Sequence, residues 1–478
     1  MSQLPNHTVI ARRGLFVSVG LVLQVAVIVG LVIATTQSPD MAALLLPVLA
    51  TLTIFILFSV VLRWRINANL FGDLGFLYMG LTVAYTVLPA LAFMVGSFNQ
   101  GDPLAVLLPE PSELSAHIWR HVLFMTGVAS GYLLLRGREK VHLIVNKNPK
   151  GKDDPTIVFL IGLIAICIVF IITLSAPVQS YYDHYTRYDH LPLLIRKFIS
   201  ACVRLSLGFY SLLLTFLFLN YRRYRLLIPF VVATICAHEV MYSFGSRIQA
   251  LIILLQVICL YNYTVKPITI KKGFMTCIII AGTFSVVELF RSLNFDFSST
   301  KDLISDGELK SASEFGAVFF TGFHLYSERA NGVLPPTEWP MFFNEFISLF
   351  TFGDFVRWNP MDWYWKNYYP ESIVAPFTLG PIADSAIWGG EVDLLLRSFI
   401  NGAFFAYLVR WFLFHKDKWW GVAVYIYCYA TCILTLKYGV FNHLNLLTKN
   451  ILPTLIVVGL VRLLITSKPI PTRSLRYD

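Results

Sequence analysis

Residues 15–36 read LFVSVGLVLQVAVIVGLVIATT, an apolar run that closely follows Arg12 and Arg13. An α-helix rises about 1.5 Å per residue, so about 20 apolar residues cross the hydrocarbon core of a bilayer. The run is too long for the apolar part of a signal peptide, and it has no clean small-residue cleavage site. We therefore predict a transmembrane helix at this position.

The same pattern recurs along the whole chain. Of its 478 residues, 56% are hydrophobic and only 14% are charged, whereas a soluble domain carries roughly 25% charged residues. This composition excludes a soluble globular domain and predicts an all-α integral membrane protein with about twelve transmembrane helices. The first span is 14–36, and the others are predicted at 41–62, 73–96, 117–135, 156–175, 194–220, 226–244, 248–263, 274–290, 392–412, 421–440 and 450–466.

The positive charges orient these spans. Lys and Arg fall in every second connection, and the first two of the alternate connections contain neither. Because cytoplasmic loops carry an excess of Lys and Arg, both termini are predicted to be cytoplasmic. The net charge of +10 thus indicates topology, and we expect no nucleic-acid partner. The predicted cytoplasmic clusters are Arg12–Arg13, Arg63–Arg65, Arg136–Lys152, Arg222–Arg225, Lys266–Lys272, Lys416–Lys418 and Lys468–Arg476.

One connection is much longer than the rest. Residues 291–390 form a predicted extracytoplasmic loop between helices nine and ten, which divides the chain into helices one to nine (1–290), the loop, and helices ten to twelve with a cytoplasmic tail (391–478). Loops of this length are usually functional. The apolar stretches 315–326 and 340–352 are too short or too interrupted to span, so we expect helices that lie along the interface or re-enter partway.

Several polar residues near the predicted outer face have the chemistry of a binding site. Arg247 follows Gly245 and Ser246 in a tight turn between two spans, where a forked guanidinium suits phosphate binding. His324 and Glu328 would lie one helical turn apart, as an acid–base pair or as a solvated surface.

The third outer loop combines Tyr, Asp, His and Arg in the manner of a sugar-binding surface, with Tyr181, Tyr182 and Arg187 as its candidate contacts. An aromatic belt at the membrane interface is the alternative reading of this segment. The sequence contains no phosphate-binding loop, no metal-type His/Cys/Asp cluster and no His-Glu-x-x-His motif, so we predict no metal and no cofactor.

The overall plan resembles the superfamily of bacterial O-antigen polymerases (Wzy-type) and O-antigen ligases. The Gly-Ser-Arg turn at residues 245–247 is similar to a turn of that family, and Gly-Gly-Glu at 389–391 with Asn-Gly at 401–402 is similar to its entry into the helix after the long loop. Ligases usually place a His at this entry, eleven residues before a glycine. Here Glu391 stands eleven residues before Gly402, which favours a polymerase.

The resemblance implies a GT-C-like bundle in the bacterial inner membrane with its active site facing the periplasm. The implied activity is a metal-independent glycosyltransferase that moves a growing glycan from undecaprenyl pyrophosphate to the next lipid-linked repeat. A chain-length regulator and a flippase are implied as partners. An O-antigen ligase acting on lipid A core, and a transporter or flippase of lipid-linked glycan, remain alternatives.

The resemblance also assigns roles to residues. Arg247, Arg291 and Arg329 would hold the pyrophosphate, because arginines stabilise a leaving group that develops negative charge. The catalytic base would be Glu391 or the His324–Glu328 pair, or no single residue. Aromatic side chains of the long loop would hold the sugars, with Trp363 and Trp365 as the candidates.

Overall fold

The computed structural model describes residues 43–66, 70–94, 110–137, 191–242, 247–269, 314–337, 360–368, 379–439 and 447–466, with residues 162, 167, 272, 273 and 275 in addition. All regular secondary structure in these residues is helical. The helices are α1 (Leu45–Ile66), α2 (Leu74–Met94), α3 (Pro111–Leu135), α4 (Leu193–Leu219), α5 (Tyr221–Tyr224), α6 (Leu227–Tyr242), α7 (Arg247–Leu260), α8 (Glu314–Ala330), α9 (Pro360–Tyr368), α10 (Pro381–Ile387), α11 (Glu391–His415), α12 (Trp419–Tyr438) and α13 (Leu452–Thr466). A 3₁₀ turn at Leu70–Gly72 precedes α2, and π turns at Tyr261–Val265 and Leu447–Ile451 adjoin α7 and α13.

The chain is an α-helical protein with the character of a membrane protein. Among the described residues, five helices are long and apolar enough to cross a bilayer, namely α1, α2, α3, α11 and α12. Shorter apolar helices occur within α4, α6, α7 and α13. The predicted spans 14–36, 156–175 and 274–290 lie outside the described residues, apart from single positions, so the number twelve stays a prediction.

Helix α3 begins six residues before its predicted span of 117–135. Pro111 occupies the first helical turn, where its missing N–H costs nothing. The backbone N–H of Glu110 donates to the Glu113 carboxylate at 3.4 Å, which satisfies a group at the start of the helix. These polar starting signals extend the helix beyond the apolar run on which the prediction depends.

Helices α3 and α11 run parallel and touch through their backbones. Gly127 packs against Ser398, and a methyl group at Gly402 would collide with the carbonyl oxygen of Val128. Gly131 lies equally close to the carbonyl oxygen of Phe399. Small residues four apart on both helices thus form a seam of the kind that lets membrane helices approach closely. The parallel direction is expected for spans that are both predicted to run inward from the outer face.

Helix α8 comes from the predicted outer loop but is buried among the other helices. It packs mainly against α2 and α10, and Phe320, Thr321 and Leu325 are fully buried. The second expected stretch, 340–352, lies outside the described residues. For residues 315–326 the expected short helix is therefore present, and it packs into the helical bundle.

One end of the bundle is closed around a buried ion pair. Asp73 accepts hydrogen bonds from the Tyr132 hydroxyl at 2.6 Å and from the backbone N–H groups of Gly75 and Phe76 at 3.0 and 3.2 Å. The second carboxylate oxygen lies 3.4 Å from Nε of Arg136, and the two side chains are 2% and 0% exposed. The carboxylate is therefore satisfied almost entirely by the protein itself.

Three further tyrosines complete this closed end. The hydroxyls of Tyr263 and Tyr425 both donate to the carbonyl of Gly72, and the Tyr429 hydroxyl donates to the carbonyl of Phe71, each at 2.7 Å. The turn before α2 is thereby held by helices that lie far apart in the sequence. The closed end of the bundle thus consists of six residues: Asp73, Tyr132, Arg136, Tyr263, Tyr425 and Tyr429.

Candidate active site

The opposite end of the bundle carries a charged cluster that is open to solvent. Nε of Arg120, on α3, donates to a carboxylate oxygen of Glu391, the first residue of α11, at 3.1 Å. The guanidinium carbon of Arg120 also lies 4.1 Å from the ring centroid of Tyr326, on α8. The side chains of Arg120 and Glu391 are 21% and 58% exposed. Three helices from distant parts of the chain thus meet at one cation.

Arg329 lies beside this pair and anchors the turn that leads into α11. Its Nη1 donates to the carbonyls of Ala386 and Trp388 at 2.8 and 3.1 Å. Gly390 takes φ = +64°, a conformation that residues with a side chain rarely adopt, and it lies against the same guanidinium. The predicted entry Gly-Gly-Glu is therefore a real turn, and Arg329 holds its shape. We call Arg120, Tyr326, Arg329 and Glu391 "the mouth".

Tyr326 keeps its proton at the mouth. Its hydroxyl lies 3.0 Å from Oγ of Ser385 on the buried helix α10. Burial raises the pKa of Tyr326 to about 12, with a further upward contribution from Glu391 and downward ones from the Ser385 hydrogen bond and the two arginines. The ring thus presents a neutral aromatic face to Arg120, the geometry of a cation–π contact.

The predicted pair of His324 and Glu328 forms on α8. Nε2 of His324 lies 3.7 Å from a carboxylate oxygen of Glu328, and the side chains are 14% and 25% exposed. Nδ1 of His324 lies 3.0 Å from the hydroxyl of Tyr364 on α9, and the Tyr368 ring stands edge-on to the imidazole. Burial lowers the pKa of His324 below its usual 6.5, against an opposing effect of Glu328.

Tyr368 faces the same carboxylate. Burial first, and then the charge of Glu328, raises the pKa of Tyr368 far above its usual 10. Its hydroxyl therefore stays protonated. The His324–Glu328 pair on α8 is thus covered by the phenol rings of Tyr364 and Tyr368 from α9.

Helix α8 separates the acid–base pair from the mouth. Successive residues of an α-helix are about 100° apart around its axis. His324 and Glu328 therefore share one side of α8, while Tyr326 and Arg329 share a nearly opposite side. A substrate that contacts both groups therefore has to extend around α8.

Comparisons with protein-family models, curated proteins and solved structures found no match to this chain. Because folds host many functions, the assignment has to come from the chemistry of the site. Among the described residues, no group of three His, Cys, Asp or Glu side chains is placed to hold a metal ion.

The remaining predicted residues are placed only in part. Nε1 of Trp363 donates to the carbonyl of Pro336 at 3.1 Å, which ties α9 to the segment after α8. Trp365 belongs to the same helix and Arg247 is the first residue of α7, but the description covers only the backbone of these two. Their binding roles stay predictions. Four others lie outside the described residues: Tyr181, Tyr182, Arg187 and Arg291.

Sequence reasoning missed the cation at the centre of the mouth. Arg120 lies between His117 and His121, three ionisable residues in five positions near the start of an apolar helix. Nε2 atoms of the two histidines lie 3.3 Å apart, and Nδ1 of His121 lies 2.9 Å from the Thr86 hydroxyl. Ionisable residues are rare at membrane depth, so this spacing was the available signal.

Proposed function

We propose that this chain polymerises surface glycan, transferring a growing chain from undecaprenyl pyrophosphate to the next lipid-linked oligosaccharide repeat. The observation that supports it most is the convergence of Arg120 and Arg329 on Glu391, at the end of the bundle that the predicted topology places outside. Two guanidinium groups at the edge of an apolar bundle suit a diphosphate whose lipid tail lies between helices. The proposed location is the bacterial inner membrane, with the site facing the periplasm.

The proposed reaction needs three kinds of group. The acceptor hydroxyl oxygen bonds to the anomeric carbon of the donor glycan, whose bond to the phosphate oxygen breaks. The hydroxyl proton passes to a base, and undecaprenyl pyrophosphate leaves with the bonding electrons. Cations must stabilise that leaving group, a base must take the proton, and aromatic surfaces must hold the sugars.

The contacts at the mouth suggest which residues act as counter-ion, as phosphate ligand and as base. Glu391 is engaged by Arg120, so we assign it as the counter-ion that a bound diphosphate displaces, not as the base. Arg120 then binds the phosphate, and Arg329, which also keeps the turn before α11 in place, adds its positive charge beside it. His324 and Glu328, on the other side of α8, supply the base. Arg247 and Arg291 remain predicted phosphate ligands, and Trp363 and Trp365 predicted sugar contacts.

Purified protein in detergent with synthetic undecaprenyl-pyrophosphate oligosaccharide tests the proposal. We expect a ladder of longer glycans, with no membrane gradient required. Arg120→Ala should lower kcat/KM about 100-fold, because one charged contact to a developing charge is worth about 2.7 kcal/mol. Arg410→Ala is the matched control, because this exposed arginine on α11 lies at the far end of α3, where it donates to the carbonyl of Leu135 at 3.5 Å.

Three outcomes would contradict the proposal. Wild-type protein that never elongates the donor would remove the polymerase assignment. Transfer to lipid A core in place of a second repeat would establish the ligase alternative instead. Full activity of Arg120→Ala, with normal protein levels, would remove the mouth from the reaction.

A further inference from the structure

Three polar side chains on α8 and α9 form a series that ends at solvent. The Tyr364 hydroxyl lies 3.0 Å from Nδ1 of His324, and Nε2 of the same ring lies 3.7 Å from the Glu328 carboxylate. Tyr364 is 2% exposed and so is held inside the protein, whereas the Glu328 side chain is 25% exposed. The series of side chains therefore runs from the buried phenol of Tyr364 to the accessible carboxylate of Glu328.

The position of the single proton on the His324 imidazole decides which group donates in each contact. Neutral imidazole has one N–H, on either Nδ1 or Nε2, and an ionised carboxylate only accepts. A proton on Nδ1 would leave the lone pair of Nε2 facing the carboxylate, which is repulsive. With the proton on Nε2, the imidazole donates toward Glu328, and the Tyr364 hydroxyl donates to Nδ1.

The surroundings favour the neutral ring. Burial lowers the pKa of His324, so the imidazole carries a single proton at neutral pH. The titratable groups that face this ring or its carboxylate among the described residues are Glu328 on α8 and Tyr364 and Tyr368 on α9. Burial keeps Tyr368 protonated, and the Tyr364 hydroxyl lies at Nδ1, so Nε2 of His324 is the ring nitrogen directed to the Glu328 carboxylate.

We propose that Glu328 is the proton acceptor of the transfer reaction and that Tyr364 is a positioning residue, which fixes the Nε2–H tautomer of His324 and thereby aims the imidazole at that carboxylate. This inference rests on the proposed function and names the side chain that meets the acceptor sugar hydroxyl. The hydroxyl proton passes to Glu328 as the acceptor oxygen bonds to the anomeric carbon. The exposed part of Glu328 then returns that proton to water.

The tautomer can be measured without any activity. Nitrogen-15 NMR of histidine-labelled protein at neutral pH reports which ring nitrogen carries the proton, and His324→Gln identifies the signals of His324. We expect a protonated Nε2 and a bare Nδ1 in the wild type, and a mixture of tautomers in Tyr364→Phe. A protonated Nδ1 in the wild type would overturn the assigned tautomer and with it the role of Tyr364.

Kinetics in the elongation assay test the proton acceptor. Glu328→Gln should lower kcat by about 100-fold or more at every pH, the usual size of a general-base contribution. Tyr364→Phe should lower kcat by about fivefold to tenfold with KM unchanged, as expected for loss of one orienting hydrogen bond, and should alter the pH profile. Tyr407→Phe, at an exposed position of α11, is the control and should behave as wild type.

Failure of this inference is distinguishable from failure of the proposed function. Glu328→Gln that still elongates glycan would overturn Glu328 as acceptor while leaving the polymerase intact. A Tyr364→Phe protein with reduced kcat but an unchanged pH profile and tautomer would make Tyr364 merely structural. A wild type that elongates nothing would overturn the proposed function and the role of Glu328 with it, and NMR would still decide the tautomer.

Discussion

The two ends of the bundle use the same residue types in opposite ways. At the closed end, Asp73 and Arg136 are 2% and 0% exposed and tyrosine hydroxyls meet the carboxylate and the adjacent turn. At the mouth, Glu391 and Arg120 are 58% and 21% exposed, and a tyrosine offers its ring face to the arginine instead of its hydroxyl to the carboxylate. Arginine, carboxylate and tyrosine are common to both, so residue type alone does not separate a structural cluster from a binding site.

The two ends differ in how easily a ligand could replace the protein groups that contact each carboxylate. Asp73 has four donors from the protein, and a ligand would have to displace buried groups to reach it. Among the described residues Glu391 has one direct guanidinium contact, from Arg120, and its side chain is largely exposed, so an incoming anion can exchange with it at little cost. A closed ion pair stabilises the fold, whereas an open one leaves its cation available.

The largest expected difference follows from removing each carboxylate. Asp73→Ala leaves the Arg136 guanidinium buried without its partner charge, and loss of one partner of a buried pair costs about 3–5 kcal/mol. Glu391→Ala breaks a largely exposed pair, which should cost less than about 1 kcal/mol. Thermal unfolding of the two variants in detergent measures both. Equal losses of stability would remove the distinction between the ends.

A smaller contrast is expected between two tyrosines. Tyr132→Phe removes a 2.6 Å hydrogen bond to a buried carboxylate, worth about 1.5–3 kcal/mol. Tyr326→Phe removes a 3.0 Å bond to the neutral Ser385 hydroxyl, worth about 0.5–1.5 kcal/mol, and keeps the ring under Arg120. Chemical denaturation of the purified variants compares them. A larger cost for Tyr326→Phe would contradict the proposed contrast.

The smallest expected effect is the contribution of His324 to the pH dependence of stability. The pKa of His324 is lower in the folded protein than its usual 6.5, so the unfolded chain binds a proton first as pH falls. Its contribution to stability is therefore complete above pH 6.5 and declines as the solution is acidified below that value. His324→Gln should flatten this part of the melting-temperature profile between pH 7 and 5. An identical slope in both proteins would show that His324 does not titrate as expected.

Sequence patterns were sufficient for the helices that apolar length defines. The five helices able to span begin or end within a few residues of their predicted bounds, except where polar groups start α3 early. Hydropathy does not encode side-by-side contact, however. The seam between Gly127, Gly131 and Gly402 depends on the absence of side chains, which a search for apolar runs registers only as neutral positions.

The candidate site was predicted unevenly for a related reason. Local spacing placed His324 and Glu328 on one face of a helix, and that pair formed. Arg120 and Glu391 are 271 positions apart in the chain, so only the packing of α3 on α11 brings them together. Glu391 was predicted as a base from its position eleven residues before Gly402, whereas its ion pair with Arg120 supports the counter-ion role that we propose. The same limit applies to Tyr364, which no local motif connects to His324.

The parallel seam has a consequence for motion. Helices α3 and α11 touch backbone to backbone with no compressible side chains between them, so we expect them to move as one rigid body. The backbones that carry Arg120 and Glu391 then keep a fixed separation while the two side chains can part, and admission of a bulky lipid head must displace other helices. We therefore expect α8 and α10, which pack against this pair of helices, to move instead.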